Sequence, residues 1–383
     1  MIKFLTATTR EVDDAQAAAA EITEALGIGK NLLKNSLGIV SCFSEFEDTG
    51  ALKAICDALP FDCIGTTTCL CATGEEIDQV IFAIAVLTSD DCSFQTALIP
   101  ISDDCQASID PPMADLLSRC GERPGLFLSY FPLINTISGD MMLAAIDKAT
   151  GGIPLFGTTA VDHTRDYSSS KTIYNGAAYR EAAVLGALCG NFKAEFEVTT
   201  LNEDKTRKQK AIITEAVGNV LISVNGKPAL DYLEEIGLKR EDIISGLGVI
   251  PLLVYHKDGS KPVPRAVFTS TPEGHAICGG VMQEGATLAL GRVDMNDVFV
   301  TTEEALKPLL EKDSLILSYS CIARYLVLGT DINAEAEKVR GAADGIAPYL
   351  FTCSGGEICP IPDGEGNLKN YFHNYTNVFC KLR

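Results

Sequence analysis

Two short motifs near the C-terminal end of the chain combine residue types that bind small polar ligands. Residues 354–358 read Ser-Gly-Gly-Glu-Ile, and residues 373–376 read His-Asn-Tyr-Thr. Because glycine lets the backbone approach a ligand closely, a turn at Gly356 could place peptide amides beside the acid of Glu357, the imidazole of His373 and the amide of Asn374. Convergent polar groups of this kind predict a pocket for a small polar ligand.

Each of these side chains has an alternative interpretation. Glu357 could receive a ligand amine, or it could hydrogen-bond the turn that holds it. His373 could donate or accept a hydrogen bond with a ligand carboxylate, or its ring could be satisfied by the backbone.

A cation and a second acid complete the predicted site. Arg324 follows Ser-Cys-Ile-Ala at residues 320–323 and is a candidate clamp for a ligand carboxylate, because guanidinium binds it bidentately. The alternative is an internal ion pair between Arg324 and Glu357. Thr158 and Asp162 lie near the end of a predicted strand, where ligands of open α/β sheets collect. The alternative for Asp162 is a position in a solvated loop.

The 14 cysteines are scattered singly through the chain, which predicts buried, reduced thiols rather than a disulfide framework. Cys69 and Cys71 are close in sequence, but their spacing matches neither a redox motif nor a usual zinc knuckle. Cys321 or Cys353, activated by His373, would make a thiol-dependent hydrolase or transferase. For Cys69 and Cys71, and for Cys321, we favour a simple packing role over a chemical one.

The usual fingerprints of catalysis are absent from the sequence. It contains no phosphate loop, no dinucleotide-binding glycine pattern, no His-Glu-x-x-His and no nucleophile elbow. Its histidines lie too far apart for any two to share a helix face, so we predict no metal site. These histidines are His163, His256, His275 and His373. Because the catalytic motifs are absent, we expect a non-enzymatic protein.

Charge and hydropathy limit the partners that the chain can bind. A formal net charge of −20 would repel phosphate backbones and anionic lipid headgroups, so neither a nucleic acid nor a membrane partner is expected. Arg10 and Glu11 interrupt the apolar start, and no run of about eighteen uncharged apolar residues follows. These features predict a cytoplasmic protein.

The elements that must position the site residues follow an α/β pattern in the first half of the chain. Residues 80–88 are apolar almost throughout, which predicts a strand covered on both faces. Residues 171–201 indicate antiparallel strands separated by Asn-Gly and Gly-Asn turns. Further strands are predicted at 2–6, 37–43, 62–66, 93–101 and 125–131, and helices at 11–26, 48–59, 111–120 and 138–149.

A polar run at residues 202–210 is the clearest change of composition. It predicts a boundary between two domains, residues 1–205 and 206–383, each with mixed sheets covered by helices. Beyond it, strands are predicted near 211–224, 250–255, 263–269 and 286–291, and helices at 228–236 and 303–311.

Three segments resemble one another, at residues 60–67, 154–159 and 348–355. Each follows a helix, begins with proline, continues as a short apolar strand and ends in small hydroxyl or glycine residues. This reuse of a helix, a strand and a Gly/Thr turn suggests duplication of one structural module.

The ordered motifs resemble those of the FIST sensory proteins, which have an N-terminal and a C-terminal FIST domain. The N-terminal part is similar at residues 65–68 and 157–162, the junction at 214–219 and 225–231, and the C-terminal part at 320–324, 356–358 and 373–376. The resemblance implies a signal-transduction module that binds small molecules such as amino acids. Some family members bind haem, which needs an axial histidine or thiolate.

The leading hypothesis is a sensor without an output domain of its own, which encloses a small polar metabolite and acts through a separate signalling protein. Arg324, Glu357, His373 and Asn374 are its expected principal contacts. Gly356, Cys321, Thr158 and Asp162 complete the predicted binding residues. A thiol-dependent hydrolase or transferase and a haem-binding gas sensor remain as alternatives.

Overall fold

The computed structural model describes residues 2–134, 137–164, 167–199, 205–206, 209–241, 251–255 and 262–383. Mixed β-sheets with flanking helices fill these ranges, so the predicted α/β class with mixed sheets is confirmed. Three large sheets share one central core, to which Ile39, Leu128 and Leu317 each contribute from a different sheet.

The three large sheets have the same strand order. The first is β1 (Ile2–Thr9), β6 (Phe82–Ser89), β2 (Asn35–Cys42), β3 (Cys63–Thr67), β10 (Thr172–Tyr174) and β11 (Ala177–Tyr179). The second is β7 (Ser93–Pro100), β12 (Ala182–Cys189), β8 (Leu126–Phe131), β9 (Leu155–Thr159), β24 (Glu357–Pro362) and β25 (Leu368–His373). The third is β13 (Ala194–Val198), β26 (Asn377–Leu382), β22 (Leu315–Cys321), β23 (Tyr349–Ser354), β4 (Cys71–Ala72) and β5 (Ile77–Asp78).

Each sheet contains one parallel pair, namely β2–β3, β8–β9 and β22–β23, and its other neighbours are antiparallel. The last two strands of each sheet come from a different part of the chain. The hairpin that follows β3 completes the third sheet, the one that follows β9 completes the first, and the one that follows β23 completes the second. Two of the three sheets therefore contain strands from both sides of residues 205 and 206, where the domain boundary stays a prediction.

Helices cover the outer faces of the three sheets. In β6, Ala83 and Ala85 face the central core while Phe82 and Ile84 pack beneath helices, so the predicted strand with two covered faces is confirmed. The first sheet carries α1 (Ala15–Leu26), α2 (Ile28–Asn31), α3 (Glu45–Asp48) and α4 (Ala51–Ala58). The second carries α5 (Cys105–Arg119) and α6 (Gly139–Thr150), and the third α8 (Met295–Leu306), α9 (Ile322–Leu328) and α10 (Ala334–Ala343).

A smaller unit, which we call the inserted sheet, lies in the chain between β13 and α8. It has its own apolar core, in which Leu233 packs with Ile213 and Leu288. It consists of β14 (Ala211–Val217), β15 (Val220–Val224), β16 (Lys227–Pro228), α7 (Ala229–Glu235), β17 (Leu252–Tyr255), β18 (Val263–Arg265), β19 (Val267–Ser270), β20 (Ala276–Cys278) and β21 (Thr287–Leu290).

The segments that leave β3, β9 and β23 bond to one another in a closed cycle. We call residues 67–69, 159–161 and 353–355 the strand-end ring. The three hydrogen bonds are Val161 N to Thr67 O at 3.4 Å, Gly355 N to Thr159 O at 2.9 Å, and Thr68 Oγ1 to Cys353 O at 2.8 Å. The three similar sequence segments thus occupy the same position in their sheets and meet at this ring.

Two predicted helices were placed too late in the chain. The helix predicted at 111–120 begins at Cys105, because the Asp104 side chain caps it by accepting from Ala107 N at 3.1 Å. The helix predicted at 303–311 is α8, which begins at Met295 behind a capping box formed by Asp294 and Asp297. The described residues do not include most of the polar run at 202–210, residues 200, 201 and 250, or His256.

Candidate functional site

A pocket of about 650 Å³ lies between the strand-end ring and the inserted sheet. Cys69, Val161 and Gly355, one residue from each segment of the ring, line one side of it. Phe268 and Cys278 of the inserted sheet line the other. The pocket therefore lies beyond the carboxyl ends of parallel strands, which is the usual position of ligands in α/β sheets.

Asp162 provides a carboxylate in this pocket. It is 1% exposed, and its Oδ1 accepts hydrogen bonds from the backbone N–H and the hydroxyl of Thr164. Its Oδ2 is buried and has no hydrogen-bond partner among the described residues. One oxygen thus fixes the side chain, while the other makes no hydrogen bond within the described part of the chain.

Two hydroxyl side chains of the pocket lining also have a buried oxygen without a hydrogen-bond partner. Ser138 Oγ and Thr159 Oγ1 are buried without a hydrogen-bond partner in the described part of the chain. Ser138 precedes α6, yet its side chain does not cap that helix. Buried polar groups are normally paired, so three unpaired buried oxygens among the lining residues of one cavity are an unusual concentration.

Apart from tyrosine and cysteine, the ionisable side chains of the described lining are Asp162 and His163, and none is a lysine or an arginine. Burial raises the pKa of Tyr167 and Tyr325 to about 12 and raises the pKa of Tyr375 well above its ordinary value, so the three lining phenols are neutral at physiological pH. The Tyr325 hydroxyl accepts a hydrogen bond from Gln79 Nε2 at 2.8 Å. The remaining walls are mainly apolar and include Leu133, Ile137, Ile277, Ile322, Leu326 and Phe372.

Arg324 does not line this pocket. It is 2% exposed and pairs with Glu335, with 2.8 Å between Nη2 and Oε1. It also donates to the Val298 carbonyl at 2.9 Å and to the Thr302 hydroxyl at 2.8 Å. The sequence had suggested Glu357 as the ion-pair partner; the partner is Glu335, because the first turn of α10 faces the short helix α9.

Burial alone would raise the pKa of Glu335, but the charge and hydrogen bonds of Arg324 lower it below the ordinary value. Both groups are therefore charged at neutral pH and satisfy each other inside the protein. The guanidinium is held by protein acceptors, so we do not include Arg324 in the site proposed below.

Glu357, Cys321 and Thr158 belong to one buried cluster beside the ring. Glu357 Oε2 accepts from Thr376 Oγ1 at 2.8 Å, and the Cys321 thiol contacts the same carboxyl group. Burial raises the pKa of Glu357 to about 8, and its Oε1 has no partner among the described residues. Thr158 joins the cluster through its 2.6 Å bond to the hydroxyl of Ser354.

The other predicted contacts also lie outside the pocket lining. His373 is 2% exposed, its Nε2 lies 3.0 Å from the Cys359 carbonyl, and burial lowers its pKa to about 4. The His373 ring thus bonds to the backbone, as in the second of the two interpretations given above. Neither Cys321 nor Cys353 takes part in this contact. Asn374 Oδ1 accepts from Ala266 N at 3.4 Å. Gly356 has φ +154, and a Cβ there would lie 2.3 Å from the Phe372 ring.

Of the eight predicted binding residues, Asp162 lines the pocket and the other seven do not. The sequence reasoning did not single out Ser138 and Thr159. Thr159 is the last residue of the similar segment 154–159, and Ser138 is a hydroxyl residue at the start of the helix predicted at 138–149, so the sequence contains a signal for each.

Haem, which the family resemblance implies for some members, needs an axial ligand and partners for two propionates. His163, Cys69 and Cys278 line the pocket, and the His163 ring packs on Phe43 with 4.4 Å between the ring centroids. No lysine or arginine is present among the described lining residues to pair with a propionate. The lining therefore does not fit haem, and we derive no chemistry through it.

Metal and membrane sites were sought in the same ranges. No group of three His, Cys, Asp or Glu side chains in the described part of the chain could hold a metal ion. No helix in the described ranges has the length and apolar character needed to cross a lipid bilayer.

Comparisons with known proteins give a family and weak structural likenesses. The FIST N domain profile matches residues 36–227, and the FIST C domain profile matches residues 229–360. No curated protein matches the sequence significantly. A cyanuric acid hydrolase from A. caulinodans is 8% identical with a TM-score of 0.39, covering 100% of this chain and 99% of its own. A second cyanuric acid hydrolase structure is 8% identical with a TM-score of 0.30, covering 76% of this chain and 99% of its own.

Proposed function

The chain belongs to the FIST family of small-ligand sensory proteins, and from that premise we propose that it senses a small polar metabolite, an amino acid, in the pocket between the strand-end ring and the inserted sheet. A volume of about 650 Å³ is within the range of small-molecule sites.

The buried Oδ2 of Asp162 is the single observation that carries this proposal. An acceptor that is buried without a partner is costly, and a ligand ammonium would supply both the missing donor and the opposite charge. The lack of lysine and arginine in the described lining favours this polarity, because the pocket then has no internal cation to neutralise Asp162.

The N-terminal end of α6 supports a contact for the other end of an amino acid. This 12-residue helix begins at Gly139, which lines the pocket beside Ser138. Helix N-termini favour carboxylates through their peptide N–H groups and the helix dipole. Asp140, in the first turn, does not oppose this role strongly, because its carboxylate accepts from Val281 N at 2.7 Å and pairs with Arg265 at 3.4 Å.

The apolar walls favour an amino acid with an apolar side chain. Phe268 is 42% exposed and Leu326 is 47% exposed, although both line the pocket, and a ligand side chain would cover them. Phe268 belongs to the inserted sheet and Leu326 to α9. A ligand held between them would couple the positions of these two parts, which is how binding could be transmitted to a separate signalling protein.

A thermal-shift screen of the twenty amino acids, followed by calorimetry on any that stabilises the protein, tests the proposal. A specific ligand at one hundred times its Kd adds about 2.7 kcal/mol of stability. Asp162→Asn keeps the shape but removes the charge, and it should weaken binding by about tenfold or more. Asp331→Asn, an exposed change outside the pocket, is the matched control.

Two outcomes would contradict the proposal. If no amino acid shifts the melting temperature, the ligand class is wrong. If an amino acid binds wild type and Asp162→Asn with equal affinity, the ligand lies elsewhere or does not use this carboxylate.

A further inference from the structure

Two cysteines from distant parts of the chain meet at the floor of the pocket. Cys69 lines the pocket, and Cys353 packs in the same buried apolar cluster as Cys69. The backbone fixes this approach, because Cys353 N donates to Leu70 O at 2.8 Å and Thr68 Oγ1 donates to Cys353 O at 2.8 Å.

The neighbouring thiol of Cys71 does not share this position. Its Sγ contacts the carbonyls of Ser41 at 3.5 Å and Ile81 at 3.9 Å, and the residue packs in the central core. Cys69 and Cys353 instead belong to the apolar cluster beneath the third sheet's helices. Alternate residues of one short segment thus face two different cores, and Cys69 is the thiol at the pocket.

We propose that Cys69 and Cys353 form an oxidation site in which a peroxide that enters the pocket produces a disulfide across the strand-end ring. Cys353 is hydrogen-bonded through its backbone to Leu70, the residue after Cys69, so the two side chains start close together, and a disulfide requires an S–S distance of about 2.05 Å. The site is independent of the amino acid proposed above, since it needs the thiol pair and access through the pocket.

The chemistry balances with one peroxide. The Cys69 sulfur attacks one peroxide oxygen, the O–O bond breaks, and the thiol proton leaves in the first water, giving a sulfenic acid. The Cys353 sulfur then attacks that sulfur, the S–O bond breaks, and the hydroxyl departs with the Cys353 proton as a second water. Two thiols lose two electrons, and one peroxide becomes two waters.

The order of the two steps follows from access to the pocket. Cys69 lines the pocket, whereas Cys353 does not. Cys353 therefore resolves the sulfenic acid and does not meet the oxidant first.

The chain offers two matched controls for this proposal. Cys278 lines the same pocket, and burial raises the pKa of its thiol, but no thiol contact accompanies that shift. Cys56 and Cys63 are a second pair of contacting, buried thiols, and neither lines the pocket. The first control lines the pocket without a partner thiol, and the second has a partner thiol but lies outside the pocket.

The experiment treats the reduced full-length protein with hydrogen peroxide, blocks free thiols with N-ethylmaleimide, and maps disulfides by non-reducing peptide mass spectrometry. The linked Cys69–Cys353 peptide should form at a peroxide concentration at which Cys56 and Cys63 stay alkylated. Cys69→Ser should reduce the linked peptide by at least about tenfold, and Cys278→Ser should leave it unchanged. In Cys353→Ser, dimedone should trap the sulfenic acid on Cys69.

The wild-type result decides the matter even if a variant fails to fold. Oxidation of Cys56–Cys63 at the same peroxide concentration as Cys69–Cys353 would overturn the role of pocket access. A wild-type protein in which dimedone labels Cys69 but no linked peptide forms would overturn the role of Cys353.

Discussion

Replacement of Glu335 by alanine should destabilise the protein severely, because Arg324 would be left charged and buried. Glu335 Oε1 accepts from Arg324 Nε at 3.0 Å and from Nη2 at 2.8 Å. The same carboxylate accepts from the hydroxyls of Thr302 at 2.6 Å and Ser320 at 2.7 Å, and from Asn377 Nδ2 at 3.0 Å. One truncation therefore removes the acceptor of several buried donors at once.

The expected loss in free energy of unfolding follows from the burial of the ion pair between Arg324 and Glu335. Removal of one partner from a buried ion pair costs about 3–5 kcal/mol, because the other charge stays desolvated. We expect about 4 kcal/mol for Glu335→Ala. Glu337→Ala, on the exposed side of the same helix, should change stability by less than about 0.5 kcal/mol. The double variant Arg324→Met with Glu335→Leu removes both charges and should recover most of the loss.

Urea unfolding followed by circular dichroism or tyrosine fluorescence measures these differences, since the chain has 11 tyrosines and no tryptophan. With an m-value of about 3 kcal/mol/M, a loss of about 4 kcal/mol lowers the midpoint by about 1.3 M. A Glu335→Ala protein that unfolds at the same midpoint as Glu337→Ala would refute the structural role of Arg324 and return it to the candidates for ligand binding.

Two further predictions concern the buried cluster and the turn before it. The pKa of Glu357 is raised from its ordinary value of 4.5 to about 8, so its contribution to stability is complete below about pH 4.5 and declines as pH rises towards 8. Glu357→Gln cannot ionise and should flatten that decline, as measured by urea midpoints from pH 5 to 8; an unchanged slope would contradict the assignment. Gly356→Ala should lose about 2 kcal/mol or more, because its Cβ would lie 2.3 Å from the Phe372 ring and φ is +154; a melting temperature within one degree of wild type would contradict this.

Local pattern was sufficient to predict much of the fold. The continuous apolar run at 80–88 predicted a strand with two covered faces, and Phe82 and Ala83 indeed face different cores. The strand-end argument also led to Asp162, since hydrophobic periodicity locates strand ends well. Helix starts at Asp104 and Asp294 were missed because each lies several residues before the apolar run that had been used to place the helix.

Long-range pairing was not predictable from the residues alone. Nothing near Arg324 in the sequence distinguishes an ion pair with Glu335 from a ligand contact, because both choices need an acid within reach and only folding selects one. The same limit applies to Cys69 and Cys353, which are brought together by the pairing of β4 with β23. Site chemistry in this protein depends on contacts between segments that lie far apart along the chain.

The cyclic exchange of hairpins has a consequence for synthesis on the ribosome. The third sheet places β26 between β13 and β22, and the second sheet is completed by β24 and β25. During synthesis, β9 and β13 therefore keep open hydrogen-bonding edges until β24, β25 and β26 have emerged from the ribosome. Completion of the second and third sheets depends on these later strands, whatever the speed at which the earlier strands pair.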